Sequence, residues 1–503
     1  MKVLEKVLSY FISFLKRAFG LLQKSLVYFN SISKITFLLL LVVMIWTTFN
    51  LKRWKKAEEE VGKLIDWDII SYYGYLPAAF IHNDLSLDFV DTDGVNYQAK
   101  HQFWPLRLNN NLEQDDHGEI KVIKTTMGMS FMYSPFFFMA HGFAHISKYE
   151  PNGFSQPYEF FLIMSCLFYL FVGLYMLRRL LLRYFSELVT GLTLTSILIG
   201  TNLFYYAVQE PAMSHAYSFA LIIGFIYHSI LYLEKHQLKN VIYLGLLGGL
   251  IILIRPVNLL IFLFPLLYGI TKGRDLVSRL EFFIKNWKHI ILIGALCFSV
   301  IFPQLLYWKV QTGSWVFNSY LGEGFFFGNS HVLEGLFSYR KGWLVYTPIM
   351  IFALAGVVLL FRMNKIFFAP IFIFLLINTY VVYSWWSWWY GGSFGSRPMI
   401  DSYGLLAIPM ACFYSVILKI KGLRVIPILT LGLFFLYLNQ FQGWQRRTNM
   451  IHWEGMTKEA YWNVFLKSRF LKKEEWVQQE ILLQAPDEEK AKKGENEYDF
   501  NPF

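Results

Sequence analysis

The stretch from residue 160 to residue 183 reads FFLIMSCLFYLFVGLYMLRRLLLR, and it decides the fold of the chain. Its first part, 160–177, contains no charged residue and is long enough to cross about 30 Å of hydrocarbon as a helix. Arg178, Arg179 and Arg183 follow at once. Because basic residues beside an apolar block favour the cytoplasmic side, the stretch predicts a transmembrane helix that ends in the cytoplasm.

The composition of the whole chain agrees with a membrane protein. Of 503 residues, 55% are hydrophobic, against about 45–50% in ordinary soluble domains. The net charge of +11 comes from Lys and Arg in short clusters between apolar blocks, which excludes a nucleic-acid-binding surface and fits the positive-inside rule. Cys166, Cys297 and Cys412 lie in apolar segments without CxxC spacing, so neither a disulfide framework nor a zinc site is indicated.

One block, 128–146, fits a membrane span poorly because it contains Pro135, His141 and His145. With a cytoplasmic amino terminus, a crossing here would place the arginine cluster of 178–183 outside. The positive-inside rule therefore predicts that 128–146 is a re-entrant or interfacial helix. About eleven spans (11–13) then result, near 35–51, 160–177, 188–207, 213–233, 240–254, 257–271, 289–308, 343–361, 366–383, 402–419 and 424–440.

These boundaries predict an all-α integral membrane protein in three parts. Residues 1–30 repeat apolar residues at helical spacing among lysines, which indicates an amphipathic helix on the cytoplasmic interface; a packed amphipathic extension is the alternative. Residues 31–441 form the transmembrane domain, whose first extracytoplasmic loop is 52–157. Residues 442–503 form an extracytoplasmic tail, and we expect its charged end, 486–501, to be disordered.

A basic run at 52–56, KRWKK, lies just outside the first predicted span and so violates the positive-inside rule. Three glutamates at 58–60 follow it. Opposite charges three or four residues apart stabilise each other along a helix, so pairing with these glutamates is the simplest interpretation of the run.

The first outside segment begins DWDIISYYGYLP (66–77), two acids followed by aromatic residues. A carboxylate just above the membrane can take a proton from an attacking hydroxyl, and aromatic rings bind sugars. Asp68 and Asp66 are therefore candidate general bases, with Tyr72 beside them. Capping of a helix by either acid is the alternative.

Basic residues on the predicted outside face are candidate phosphate ligands. Lys124, before the interfacial block, can hold a lipid phosphate as a point charge; snorkelling to the interface is the alternative. Arg255 precedes Pro256 within a long apolar run; it is either a phosphate anchor or the mark of a turn. Arg340 and Lys341 lie outside, where the topology rule does not place them, and anion binding would explain their position.

Glu210 and His215 lie at another predicted membrane boundary, in the sequence QEPAMSH (209–215). Ionisable groups at such a boundary are functional candidates, and the start of a helix with Pro211 in its first turn is the alternative. Two ligands do not make a metal site, so no metal site is predicted.

The segment that most strongly indicates a binding site is YSWWSWWYGGSFGSRPMID (383–401). A membrane-interface belt accounts for some of its tryptophans, but not for the glycine-rich run that ends in an arginine. Such a run is typical of a loop whose backbone approaches a ligand closely. The candidate binding residues are Trp386, Trp389, Arg397 and Asp401.

Together these features resemble the GT-C superfamily of polyprenyl-phosphate-sugar-dependent glycosyltransferases, in the branch of aminoarabinose transferases and protein O-mannosyltransferases. The resemblance rests on an outside acid followed by an aromatic, a juxtamembrane helix introduced by a lysine, an outside acidic turn and a later outside arginine. In this chain these positions are Asp68 with Tyr72, Lys124 before 128–146, Glu210 to His215, and Arg255. The Asp-Glu pair of the family is absent, and Pro135 is displaced.

The resemblance implies a multi-span α-helical fold and an inverting transfer on the extracytoplasmic face of the bacterial cytoplasmic membrane. It implies that Asp68, or else Asp66, deprotonates an acceptor hydroxyl, and that the lipid phosphate leaves into a cradle of basic residues. The cradle is assigned to Lys124, Arg255, Arg340 and Arg397, and sugar or acceptor binding to Tyr72, Glu210, His215, Trp386, Trp389 and Asp401.

The implied partners are a polyprenyl-phosphate-linked sugar, membrane lipid and an acceptor that is a glycan, a lipid or a protein. No nucleic acid and no cofactor are expected, while dependence on a divalent metal is left open. Two other functions remain as alternatives. One is a transporter or flippase of lipid-linked glycans, which would need broken or ionisable positions near the bilayer midplane. The other is a polysaccharide polymerase or ligase.

Overall fold

The structure is a computed structural model that describes residues 31–57, 63–108, 120–496 and 503. The predicted amphipathic helix 1–30 lies outside the described residues, as do the three glutamates at 58–60.

The first half of the chain forms nine α-helices and one hairpin among the described residues. In chain order they are α1 (Ile32–Leu51), α2 (Trp67–Tyr73), α3 (Tyr75–Pro77), α4 (Phe89–Thr92), α5 (Tyr97–His101), β1 (Leu106–Leu108), β2 (Ile120–Val122), α6 (Gly128–His145), α7 (Gln156–Leu181), α8 (Glu187–Ile199) and α9 (Leu203–Val208). A 3₁₀ turn, Arg53–Lys56, follows α1, and a short π-helix, Ala78–His82, follows α3.

The second half is α-helical and 3₁₀-helical. The α-helices are α10 (Ser214–Lys235), α11 (Leu238–Ile254), α12 (Leu263–Leu267), α13 (Gly273–Lys285), α14 (Trp287–Thr312), α15 (Val332–Phe337), α16 (Trp343–Tyr346), α17 (Met350–Met363), α18 (Phe368–Tyr383), α19 (Tyr403–Ile417), α20 (Ile426–Arg447), α21 (Lys458–Val464), α22 (Lys473–Ile481) and α23 (Glu488–Lys492). The 3₁₀ helices are Pro256–Phe262, Phe327–Asn329, Lys365–Phe367, Arg397–Ser402 and Gly422–Val425.

Seven helices of the described residues are long and apolar enough to cross a membrane. Counted with the 3₁₀ turns that adjoin some of them, they are Ile32–Lys56, Gln156–Leu181, Ser214–Lys235, Trp287–Thr312, Lys365–Tyr383, Arg397–Ile417 and Gly422–Arg447. The chain is therefore an α-helical membrane protein, as predicted. Four shorter apolar helices, Glu187–Ile199, Leu238–Ile254, Pro256–Leu267 and Met350–Met363, fall where four more spans are predicted, and the total of eleven stays a prediction.

Two predicted spans are interrupted in the structure. The span predicted at 188–207 is split into α8 and α9. Between them Asn202 is buried, donates to the Phe394 carbonyl at 3.1 Å and accepts from the Tyr403 hydroxyl at 2.7 Å, so other elements satisfy its side chain. The span predicted at 343–361 breaks between α16 and α17, at Pro348, whose ring lacks the backbone N–H that a helix interior uses.

The first predicted outside loop is ordered in its described part rather than extended. It contains α2 to α5 and the antiparallel hairpin, in which Leu106 pairs with Val122. Lys121 and Arg107 of the hairpin form ion pairs with Asp91 of α4 at 2.9 Å and 2.8 Å. This hairpin and an isolated β-bridge between Phe325 and Trp385 are the departures from an all-α fold within the described residues.

The tail differs from the prediction of a disordered end. In the described part of 486–501, Asp487 accepts hydrogen bonds from the first backbone amides of α23, and Ala491 is buried. The Lys492 ammonium lies 4.9 Å from the centre of the Trp386 ring, and the Gly494 carbonyl accepts from Asn329. The charged composition suggested disorder, but these tertiary contacts order the segment up to residue 496.

Helices α17 and α19 approach closely at Gly356. A Cβ added there would lie 1.9 Å from the carbonyl oxygen of Pro409, so one helix would have to shift. We expect Gly356→Ala to lower the free energy of unfolding by about 2–3 kcal/mol, the usual range for overpacking, measured by denaturant unfolding in detergent. Gly294→Ala in α14 is the control, since nothing lies within 4 Å of an added Cβ there. Equal stability of the two variants would contradict the close approach.

Candidate functional site

Asp66 and Asp68 lie at the start of α2 and have different surroundings. The Asp66 carboxylate accepts from the backbone N–H of Trp67 at 3.2 Å and occupies the N-cap position, as the capping interpretation predicted. Burial raises the pKa of Asp66 above its usual value, against the opposing effects of that hydrogen bond and of Lys63. Asp68 stands in the first turn with its side chain 52% exposed, so its carboxylate is open to a ligand.

Arg397 contacts Asp68, although the two residues are far apart in the sequence. It begins a 3₁₀ helix after the glycine-rich turn, in which Gly391 and Gly395 have positive φ angles of 59° and 58°. A Cβ on Gly395 would lie 2.9 Å from Tyr346. The turn therefore packs closely against protein, and it aims the Arg397 guanidinium at Asp68 Oδ2, 3.0 Å away.

A second ion pair joins Arg255 to Asp401. Helix α11 ends at Ile254 because the residue before a proline disfavours helical dihedrals, and Arg255 is extended with φ −148°. Its guanidinium lies 3.1 Å from Asp401 Oδ2, which also accepts from Asn258 at 2.9 Å. Asp401 is buried, whereas the Arg255 side chain keeps 22% of its surface exposed.

His215 is buried beside Asp401, the acid of this second ion pair. Its Nδ1 lies 3.8 Å from Asp401 Oδ1, which is longer than a hydrogen bond. Within the described residues, both ring nitrogens of His215 and Asp401 Oδ1 are buried and make no hydrogen bond. Buried polar atoms are usually paired, so these atoms form an unsatisfied polar contact directly behind Arg255.

Tyr72 lies close enough to both ion pairs for their charges to act on it. It lies one helical turn after Asp68, and the charges of Asp68, Arg255 and Arg397 all act on its hydroxyl. Burial, and after it the Asp68 carboxylate, raise the pKa of Tyr72, so the phenol stays protonated and can donate a hydrogen bond. We refer to Asp68, Tyr72, Arg255, Arg397 and Asp401 as the Asp68 cluster.

Lys124 and Glu210 lie on the borders of the Asp68 cluster. Lys124 Nζ forms an ion pair with Glu323 at 2.6 Å and lies 5.0 Å from the centre of the Tyr320 ring, on which the charge of Asp68 also acts. Glu210 accepts from the Tyr205 hydroxyl at 3.4 Å, and its charge acts on Arg397.

Arg340, Trp386 and Trp389 lie under the carboxyl-terminal tail. Arg340 is buried, donates to the Glu454 carbonyl at 3.3 Å and lies 6.0 Å from the centre of the Trp389 ring. Trp389 Nε1 donates to the Glu454 carboxylate at 2.8 Å, and Trp386 lies against Lys492. These contacts give all three residues a structural role, while their predicted ligand roles stay predictions.

Three residues of the site were not among the candidates: Asn258, Tyr320 and Glu323. Asn258 follows Arg255 by three residues in RPVN, and its backbone N–H donates to the Arg255 carbonyl at 2.9 Å, which keeps the two residues close together. Glu323 is the one acid in the glycine-rich part of 309–330. Its isolation there was a reason to count it among the candidate site residues. No local pattern pointed to Tyr320.

Lys341 is a buried amine beside the same turn. It donates to the carbonyls of Ser393 and Trp453. Burial, and then the nearby guanidinium of Arg446, lower the pKa of Lys341 well below its usual value. The unfolded chain therefore binds more protons at this position between the two pKa values, and stability rises with pH across that range.

We expect Lys341→Gln to flatten this rise between pH 7 and pH 9. The amide of Gln can donate to both carbonyls but does not titrate, so the variant removes the proton linkage and keeps the hydrogen bonds. The measurement is the unfolding temperature in detergent across that range, with Lys458→Gln as a control at an exposed lysine. An unchanged slope would show that Lys341 is charged in the folded protein.

Among residues 31–57, 63–108, 120–496 and 503, no three His, Cys, Asp or Glu side chains group closely enough to hold a metal ion. In comparisons with known proteins, the chain matches no protein-family model and no curated protein sequence.

Proposed function

We propose that the protein is a membrane glycosyltransferase that moves a sugar from a polyprenyl-phosphate carrier to an acceptor hydroxyl. The reaction would take place on the extracytoplasmic face of a bacterial cytoplasmic membrane, in a helical fold like that of the GT-C superfamily. The acceptor is a glycan, a lipid or a protein.

The observation that carries this proposal is the convergence of one exposed carboxylate and two guanidinium groups. Asp68, Arg255 and Arg397 come from three distant parts of the chain. They form two ion pairs, Arg397 with Asp68 and Arg255 with Asp401, and the charges of the first three residues all act on Tyr72. Arginine binds phosphate through paired hydrogen bonds, and an exposed carboxylate can accept a proton. A donor phosphate and an attacking hydroxyl have complementary partners in this one place.

The proposed step needs no nucleotide. The acceptor oxygen attacks the anomeric carbon of the sugar while the bond between that carbon and the phosphate oxygen breaks. The acceptor proton passes to Asp68, and the electron pair of the broken bond leaves with the phosphate. Arg255 and Arg397 stabilise the charge on the departing phosphate, with Lys124 at the border. A single displacement inverts the anomeric carbon.

Asp68 is favoured over Asp66 as the base because of its exposure and its position. Asp66 is engaged as the cap of α2, whereas Asp68 has an open carboxylate beside Arg397. Binding of a donor phosphate by Arg397 would weaken its ion pair with Asp68 and free the carboxylate to contact the acceptor hydroxyl.

The proposal is tested with purified protein in liposomes that contain polyprenyl-phosphate-linked sugars, one sugar at a time. We expect release of polyprenyl phosphate together with transfer to an acceptor from a membrane extract, and no reaction without protein. An intact donor that reaches the opposite leaflet would support a flippase and overturn the proposal.

The flippase is retained as a second candidate because the buried residues His215 and Asp401 lie beside the partly exposed Arg255. Ionisable residues in the apolar part of a membrane protein are common on transport paths, and His215 has no hydrogen bond among the described residues. A polymerase or ligase would use the same chemistry as the transferase, and only the acceptor would differ.

A further inference from the structure

Helix α13 (Gly273–Lys285) has an exposed apolar side, and none of its residues is buried. Its four exposed apolar side chains recur at helical spacing, with exposed fractions of 37% for Leu276, 57% for Val277, 48% for Leu280 and 72% for Ile284. Residues four and seven positions apart lie on one side of a helix. We refer to these four residues as the α13 stripe.

Another side of α13 holds the helix against the protein. The Arg279 guanidinium donates to the Tyr268 carbonyl at 2.6 Å. The Phe282 ring packs against Tyr232 and His236, with ring centres 5.9 Å and 4.8 Å apart. Because α13 is fixed by these contacts, it cannot turn its exposed stripe inward without breaking them.

The remaining side of α13 and its flanks are basic. Residues 272–288 contain five Lys or Arg and two acids, a net charge of +3. Four of the five basic residues are exposed: Lys272, Arg274, Lys285 and Lys288. An apolar stripe beside exposed lysine and arginine is typical of a helix that lies in the plane of a membrane surface. The predicted topology places this segment in the cytoplasm, where the membrane surface is negatively charged.

The α13 stripe is continuous with a surface that faces lipid. Asn286 alone separates α13 from α14, which is long and apolar enough to cross a membrane. At this junction Trp287 is 55% exposed, and Ile291, one turn further, is 60% exposed. Tryptophan is enriched where the hydrocarbon of a membrane meets water. The stripe therefore lies at the depth where the lipid-facing surface of α14 begins.

The charge of α13 selects lipid over another amphipathic segment of the chain. Residues 1–30, which the predicted topology also places in the cytoplasm, contain five basic residues and one acid, a net charge of +4. Like charges repel, so docking of 1–30 on α13 is disfavoured. The surface of an anionic membrane has the opposite charge and supplies acyl chains for the stripe.

We propose that α13 binds anionic lipids of the cytoplasmic leaflet, with the α13 stripe among the acyl chains and the basic residues at the lipid phosphates. This lipid-binding surface does not depend on the proposed transferase activity.

The position of the stripe is tested by fluorescence quenching with the full-length protein in liposomes. Ile284→Cys and Ser278→Cys, each labelled with bimane, place a fluorophore on the stripe and on the basic side, and the three native cysteines are buried. We expect doxyl-labelled lipid to quench the label at 284 more strongly than the label at 278, and iodide to show the reverse order. Quenching at 284 by iodide alone would place the stripe in water, and protection from both quenchers would place it under protein. Either result would overturn the proposal.

The preference for anionic lipid is tested with doxyl-labelled phosphatidylglycerol and phosphatidylcholine at equal mole fractions. We expect phosphatidylglycerol to associate with the label at 284 about fivefold more strongly, the effect of one basic residue at about 1 kcal/mol. Replacing the four exposed basic residues of 272–288 by Gln should abolish this preference. The matched control replaces four exposed lysines of the tail by Gln and should keep it: Lys458, Lys472, Lys473 and Lys493.

The comparison of the two lipids decides the proposal even if neither charge variant folds. Equal quenching by phosphatidylglycerol and phosphatidylcholine in the Ile284→Cys protein, with its basic residues intact, would overturn the assignment to anionic lipid. Loss of the preference in the tail control would also overturn it, since the charge at α13 would then not be the cause.

Discussion

Asp68→Asn is expected to lower the rate of sugar transfer by about 10²–10⁴-fold, the usual contribution of a general base. The amide has nearly the same size as the carboxylate and can still contact Arg397 through its oxygen, but it cannot take the acceptor proton. The measurement is the initial rate of transfer in liposomes, with donor binding measured separately by exchange of labelled carrier. We expect donor binding to change much less than the rate.

Asp66→Asn is the matched control two residues away. Its side-chain oxygen can still accept from the Trp67 N–H, so the cap of α2 is preserved and the rate should stay within a few-fold of wild type. If Asp66→Asn is the slow variant and Asp68→Asn is not, the base is Asp66. If both variants transfer at the wild-type rate, neither acid acts as the base.

Asp401→Asn is expected to lower the free energy of unfolding by about 3 kcal/mol. Removing one partner of a buried ion pair usually costs about 3–5 kcal/mol because the other charge stays buried without compensation. The lower end applies here, since Arg255 is 22% exposed and water can partly solvate it. Denaturant unfolding in detergent measures the change.

The control for Asp401 is a double-mutant cycle with Arg255→Gln. If the ion pair accounts for the loss, the double variant Asp401→Asn, Arg255→Gln should be more stable than the sum of the single effects predicts. Strictly additive effects would mean that Asp401 acts through Asn258 alone, its other hydrogen-bond partner.

The sequence predicted the membrane helices well because a helix that crosses a bilayer must be apolar along its whole length. All seven long apolar helices coincide with predicted spans. The interruptions at Asn202 and Pro348 were missed, because an apolar window still looks continuous when a buried polar side chain finds partners on other elements.

For the candidate site, the sequence supplied the residues but not their pairing. Counting charges placed Asp68, Arg255, Arg397 and Asp401 on one face, and the structure joins them in two ion pairs. The partners in these pairs are 329 and 146 residues apart, so no local pattern specifies them. Arg340 and Trp389 were candidates because of their types, and only tertiary packing beneath the tail distinguishes them from the cluster.

The docking of α23 against Trp386 has a consequence for biogenesis. The chain is made from its amino terminus at about 5–20 residues per second, and 106 residues separate Trp386 from Lys492 (492 − 386). For several seconds after its insertion, the tryptophan-rich turn is therefore without the segment that covers it. A chain truncated before α23 would keep that aromatic surface open permanently, where quality-control proteases and chaperones of the membrane could recognise it.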